Sequence, residues 1–238
     1  MVVSIICFFP AYSTPKDILI KIQMSKLLVL LFAVLALASA GCSCYKKKPF
    51  LGYEFTIAKV AAQYASCSCV TNEYINNIQS WFYDPCREAQ SKDNIEDVYV
   101  VQSQAKYNLL AYVAHDKVRN WNVVSFRATI CGHAMANVRL DADFLLKNYR
   151  EHGCERKDCK MHQGFMNGYN NLVKNGLLDT VRHVYNNHKN AKWLVTGISL
   201  GAALAAIGAY DISQYLIEEN LGRPDMMVYT FGEPRIGN

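Results

Sequence analysis

Strong charge of one sign is absent from this sequence. Its 25 Lys and Arg stand against 20 Asp and Glu, a formal net charge of +5. Lys16, Lys21, Lys26 and Asp17 lie in an N-terminal stretch expected to be removed, which leaves 22 basic against 19 acidic residues. That excess is too small to argue for a nucleic-acid partner, and the run Lys46-Lys47-Lys48 reads as a solvated loop. No C-x-x-C pair with a matching C-x-x-C or H-x-H partner occurs, so no structural zinc is expected. No internal repeat, low-complexity linker or N-x-S/T sequon is found. The composition, 51% hydrophobic and 19% charged, excludes the signature of intrinsic disorder. The length suits one domain of ordinary size.

The N-terminus carries information. From Met24 it reads "MSKLLVLLFAVLALASAGC", with Lys26 as a positive n-region and an unbroken apolar run over 27–38. Ala38-Ser39-Ala40 is a small-x-small cleavage signal, the form of a secretory signal peptide. A membrane anchor that also used residues 1–12 would be interrupted by Pro10, Lys16, Asp17 and Lys21. The expected organisation is an upstream extension over 1–23, a signal peptide over 24–40 and one domain over 41–238. Nine cysteines are present. Removal of Cys7 with the leader leaves an even set, as expected of a secreted, disulfide-bonded chain. Cys154 and Cys159 would close a short loop.

Periodicity organises the rest. Helical spacing runs over 53–65 and again around 72–82. Strand-like runs follow at 97–103 ("DVYVVQS"), 107–116 ("YNLLAYVAHD") and 121–129 ("WNVVSFRAT"). An irregular cysteine-bearing section occupies 130–163. A long helix is expected over 165–188, where Tyr169, Leu172, Gly176, Leu177, Val181, Val184 and Tyr185 share one face. A buried strand at 191–197, an alanine-rich helix at 199–219 and a strand at 225–232 complete the pattern. Strand, helix, strand, helix, strand predicts an α/β fold with parallel pairing across the last three strands.

Gly197-Ile198-Ser199-Leu200-Gly201 is a G-x-S-x-G pattern, which alone is weak. Its context is a buried strand running straight into it and a helix starting within two residues of Ser199. Such a sharp turn strains the serine backbone, tolerates only small neighbours (here Gly197, Gly201, Ala202 and Ala203) and lifts the hydroxyl clear of the sheet. It also aims helix N-terminal amides at developing negative charge, with Leu200 N–H as one oxyanion donor. The bland alternative is a serine cap beside a packed Gly/Ala helix. A second oxyanion donor should follow an earlier strand. Thr129, after "VVSFRA", qualifies equally as that donor or as an ordinary strand-end threonine.

Four segments in order carry a resemblance. "VVSFRAT" resembles F-R-G-T/S, "MHQGF" (161–165) resembles H-x-G-F, "VTGISLGAALA" resembles V-T-G-H-S-L-G-G-A-L-A, and "YTFGEPRIGN" (229–238) resembles T-F-G-x-P-R-V-G-N. These are motifs of the fungal-type (class 3) triacylglycerol lipases. Asn137 and Asp141 stand at the spacing of that family's N-W-x-x-D, whose acid braces the oxyanion residue. The resemblance, over about 52–238, implies an α/β-hydrolase fold with a mostly parallel sheet flanked by helices. It implies a serine hydrolase of lipid esters that works at a lipid–water interface without metal or organic cofactor, expected as a monomer. It also makes 130–144 the counterpart of the family's lid. Ile198, Ala128, Val138 and Ala202 depart from the pattern without removing a reacting atom.

In this fold an acid and then a histidine follow the serine. No histidine follows Ser199 in these 238 residues; the last is His188. The leading expectation is a fragment that lacks the triad Asp and His and the last strands. A lipid-binding protein without activity is the second reading. The third is a rearranged site that uses an upstream histidine such as His162.

Overall fold

The computed structural model describes residues 54–104, 107–129, 146–148 and 160–238, with 146–148 as backbone only. The expected leader, the lid counterpart and the Cys154–Cys159 loop lie outside the described residues. In chain order the elements are α1 (Phe55–Cys67), a 3-10 turn (Asn72–Tyr74), α2 (Ile75–Gln79), α3 (Asp84–Ala89) and a second 3-10 turn (Lys92–Asn94). They are followed by β1 (Ile95–Gln102), β2 (Leu110–Asp116), β3 (Trp121–Phe126), β4 (Leu146–Asn148) and β5 (Lys160–His162). The last five are α4 (Gln163–Lys174), α5 (Leu177–Asn187), β6 (Lys192–Ile198), α6 (Leu200–Glu218) and β7 (Met226–Phe231).

A five-stranded sheet has the order β1-β2-β3-β6-β7. The β1/β2 and β2/β3 ladders are antiparallel; β3/β6 and β6/β7 are parallel, as the alternation of strands and helices required. The inner strands are apolar on both faces because both faces are covered. Ala111, Val113, Val124, Phe126, Trp193 and Val195 meet α4, α5 and α6 in one core. Residues of the opposite face reach α1 instead. Tyr112 Oη and Ser125 Oγ donate to Tyr64 O at 2.8 and 3.2 Å, and Thr196 Oγ1 donates to Ala61 O at 3.2 Å. Helix α6 is long and apolar enough to span a membrane by length and composition, yet most of it is buried here against the sheet.

Three expected elements change on inspection. The helix over 165–188 is two helices, because Gly176 adopts φ +98° between them; a left-handed residue ends one helix and cannot continue the face it was assigned to. The stretch 72–82 is a 3-10 turn and the short α2, closed by Trp81 at φ +58°. The strand over 121–129 ends at Phe126, where the chain leaves the ladder. Helix α3, unmarked by apolar periodicity, starts with a proline in its first turn. A disulfide joins Cys67 at the end of α1 to Cys86 in α3.

One buried carboxylate ties several of these elements. Asp116, at the end of β2, accepts from Tyr64 Oη (2.7 Å), Arg119 Nη1 (2.7 Å) and Gln90 Nε2 (3.2 Å). The amides of Val118 and Arg119 also donate to it, at 3.0 and 3.1 Å. Burial pushes its pKa up, but these donors outweigh burial and hold it below the ordinary carboxylate value. Its stabilising contribution is therefore complete above about pH 3.9 and is lost as pH falls through the lower folded-state value. Asp116→Asn is expected to cost about 3 kcal/mol at neutral pH by urea unfolding. The gap from the wild type should begin to shrink below about pH 4, where Asp116 protonates in the unfolded chain, and close as the folded carboxylate protonates at its lower value; a gap that stays constant through that window would contradict this account.

Candidate active site

The parallel pairing of β3 and β6 brings the elbow and the strand-end loop together. Phe126 stands opposite Gly197 in the ladder, so residues 127–129 leave the sheet beside the turn that holds Ser199. Ser199 separates β6 from α6 and has φ 53° and ψ −122°. That conformation costs a non-glycine residue on the order of 1–3 kcal/mol and persists only where the surroundings enforce it. The backbone of Ser199 is held by its amide donating to Phe231 O at 2.8 Å. Its side chain makes no capping bond to α6, and the residue is exposed although both its neighbours are buried. The plain helix-cap reading therefore lacks the bond that defines a cap.

The two glycines of the motif have direct contacts as their cause. A Cβ on Gly197 would overlap the carbonyl of Gly201 and lie 2.9 Å from Ala202 N. A Cβ on Gly201 would overlap the carbonyl of Phe126 and lie 2.9 Å from Arg127 C. Strand end, elbow and oxyanion-side loop thus touch backbone to backbone. Ala202 and Ala203 are fully buried behind them. Leu200 N–H belongs to the first turn of α6, ahead of the Ala202 and Ala203 amides that donate to Ser199 O at 2.9 and 3.3 Å. Thr129, half-buried, is two residues past the Gly201 contact, at the same end of the sheet. Gly197, Ser199, Leu200 and Gly201 therefore form one turn, packed on the strand end that leads to Thr129; Asp141 lies outside the described residues.

Arg127 is what anchors that loop, a role the sequence motif contained but did not announce. Its side chain is 2% exposed. Nη1 donates to Val70 O (3.1 Å) and Asn72 Oδ1 (3.0 Å); Nη2 donates to Asn108 O (2.8 Å) and Asn108 Oδ1 (3.0 Å). Burial without a carboxylate among these partners pulls its pKa down to about 10. The segment after α1 joins in through Ser68 Oγ, which donates to Phe126 O at 3.1 Å. His162, the candidate upstream base, is 5% exposed and caps α4. Its Nδ1 accepts from Phe165 N at 3.4 Å and its ring stacks on Phe165.

Helix propensity alone favours Ala over Gly at a helical position by up to about 1 kcal/mol. The contacts of Gly201 reverse that sign. Gly201→Ala is expected to destabilise the fold by about 3 kcal/mol, read from the urea midpoint; an unchanged or raised midpoint would refute the close approach.

Comparison with known proteins agrees with this geometry. Residues 123–238 match the family Lipase (class 3). A lipase of Rhizomucor miehei is 39% identical over 79 residues, covering 33% of this chain and 21% of the relative. The secreted mono- and diacylglycerol lipase A of Penicillium cyclopium is 25% identical over 184 residues, 74% of this chain and 54% of the relative. The solved Rhizomucor miehei triacylglyceride lipase superposes with a TM-score of 0.57 at 26% identity, over 78% of this chain and 65% of that one. The chain thus spans between a fifth and two thirds of the relatives it matches. Residues 123–238, with the G-x-S-x-G turn and the ordered motifs, are thus those of the class 3 lipase family, and the chain has the α/β-hydrolase architecture of the solved lipase.

Proposed function

We propose that this protein is a secreted carboxylic ester hydrolase acting on acylglycerols, with Ser199 as nucleophile. The observation that carries the reading is the strained, exposed Ser199 at the open amide end of α6. Ser199 Oγ attacks the ester carbonyl as a base takes its proton. Leu200 N–H and Thr129 stabilise the oxyanion, with Asp141 bracing Thr129. The alcohol leaves with a proton, and water then releases the fatty acid and frees the serine. Preorganised donors of this kind each contribute on the order of 3 kcal/mol. Relatives named as secreted mono- and diacylglycerol lipases support both an acylglycerol substrate and an extracellular or endomembrane location. The reading carries with it a signal peptide over 24–40, a monomer, and work at the lipid–water interface.

A serine of this kind needs a histidine, and His162 is committed to capping α4. In the order serine, acid, histidine of this fold the base follows the serine, and no histidine follows Ser199 among residues 200–238. Loss of the base alone costs about a million-fold in turnover. The 238-residue chain by itself is therefore expected to hydrolyse a short p-nitrophenyl ester barely above background. With the triad complete, Ser199→Ala should remove hydrolysis of emulsified acylglycerol by about a million-fold and leave adsorption to the lipid surface intact. Hydrolysis that survives Ser199→Ala would overturn the assignment. Robust Ser199-dependent hydrolysis by the 238-residue chain that is lost in His162→Ala would move the base to His162. Fatty-acid retention without any Ser199-dependent hydrolysis would favour a binding protein.

A further inference from the structure

At the other end of the sheet from Ser199, three elements converge on a second group of reactive side chains. His115 of β2 pairs with Asn122 of β3, which in turn pairs with Trp193 at the start of β6. Ser199 follows the far end of β6, which puts the two places on the order of 20 Å apart. His188 caps the C-terminus of α5 and lays its ring flat on that of His115, with centroids 3.6 Å apart and planes 1° from parallel.

Two consecutive residues of β1 face this pair, which a regular strand forbids because neighbouring side chains alternate between faces. The ladder of β1 slips between Glu96 and Tyr99, and Asp97 sits at φ +49°. That irregularity brings both carboxylates onto His188. Its Nε2 lies 2.9 Å from Asp97 Oδ2 and 3.8 Å from Glu96 Oε1. Strain kept at a bulge where it redirects a side chain is a mark of function.

The tautomer of His115 suits a ligand role. His115 Nδ1 lies 2.8 Å from Asn122 Oδ1. An amide oxygen only accepts, so Nδ1 carries the proton and Nε2 keeps a free lone pair. The orientation of Asn122 is itself fixed, since its Nδ2 donates to His188 O at 3.4 Å. The negative end of the α5 dipole adds to the attraction for a cation. Opposing charges are Lys117, whose Nζ is 3.9 Å from Glu96 Oε2, and His183, held near Asp97 through Asn187.

We propose that Glu96, His115 and His188 form a binding site for one divalent transition-metal cation of zinc's class, with Asp97 completing or orienting the set. One ligand atom from each of the three lies within 4.8 Å of the others. Two ligands on a tetrahedral zinc stand about 3.4 Å apart, with bonds of about 2.0–2.1 Å. The half-buried His188 ring closes that gap by tilting out of the stack about χ2, a soft torsion. The expectation that no metal would bind rested on cysteine spacing. Histidines far apart in sequence leave no such signal.

Calorimetric titration of the chain with Zn2+ should give one site per chain and raise the thermal midpoint. Co2+ should give tetrahedral d–d bands with no thiolate-to-cobalt charge transfer. Glu96→Gln, at a half-exposed position that leaves the core intact, and His188→Gln should each weaken affinity by on the order of 100-fold. Asn122→Ala, which removes the side-chain hydrogen bonds to His115 and to the carbonyl of His188, should weaken it by about 10–100-fold. Three results would each overturn the site: no saturable binding by the wild type, affinity unchanged in both Glu96→Gln and His188→Gln, or a thiolate band that puts the ion on cysteine.

Discussion

Two backbones touch at the turn between β6 and α6, and the rest of the site depends on that contact. The carbonyl of Phe126 fills the place where Gly201 would carry a side chain, and the carbonyl of Gly201 fills the same place for Gly197. With no Cβ at either position, the helix can begin immediately after the strand. Ser199 is then the residue that absorbs the turn, at φ 53° and ψ −122°. The sheet pays for this strain through the amide of Ser199 on Phe231 and the fully buried Ala202 and Ala203 behind it. The result is an exposed Ser199 at the amide end of α6.

The oxyanion-side loop is held from a different direction. Arg127 is buried and spends its guanidinium on carbonyl and amide oxygens of Val70, Asn72 and Asn108 rather than on an acid. A hydrogen-bonded arginine in that position fixes where the chain goes after β3. Two long-range ties, one through Arg127 and one through Ser68, leave the strand end beside the elbow little freedom. Positioning of this kind is what lets a few donors act on a transition state without reorganising.

The parts legible in the sequence were those fixed by local pattern. The apolar runs gave β2, β3 and β6, and the spacing of small residues around Ser199 gave the elbow. The alternation of strand and helix gave the parallel pairing. Gly176 misled because a glycine can sit on a helical face or break it, and periodicity does not distinguish the two. The short α3 carries too few residues for a period. Thr129 could be named only as a candidate, since its use depends on which strand lies beside β6. Asp116 and the pair His115 and His188 left no trace, because their partners come from segments far away in the chain and meet only in the folded sheet.

The most direct test of the strained elbow is the stability of Ser199→Gly by urea unfolding. A glycine adopts a positive φ without cost, so relief of strain should raise the free energy of unfolding by about 1 kcal/mol even as the hydroxyl is removed. A serine that merely capped α6 would lose a few tenths of a kcal/mol on the same change. A raised midpoint supports a turn built to hold a nucleophile; a lowered one would contradict it.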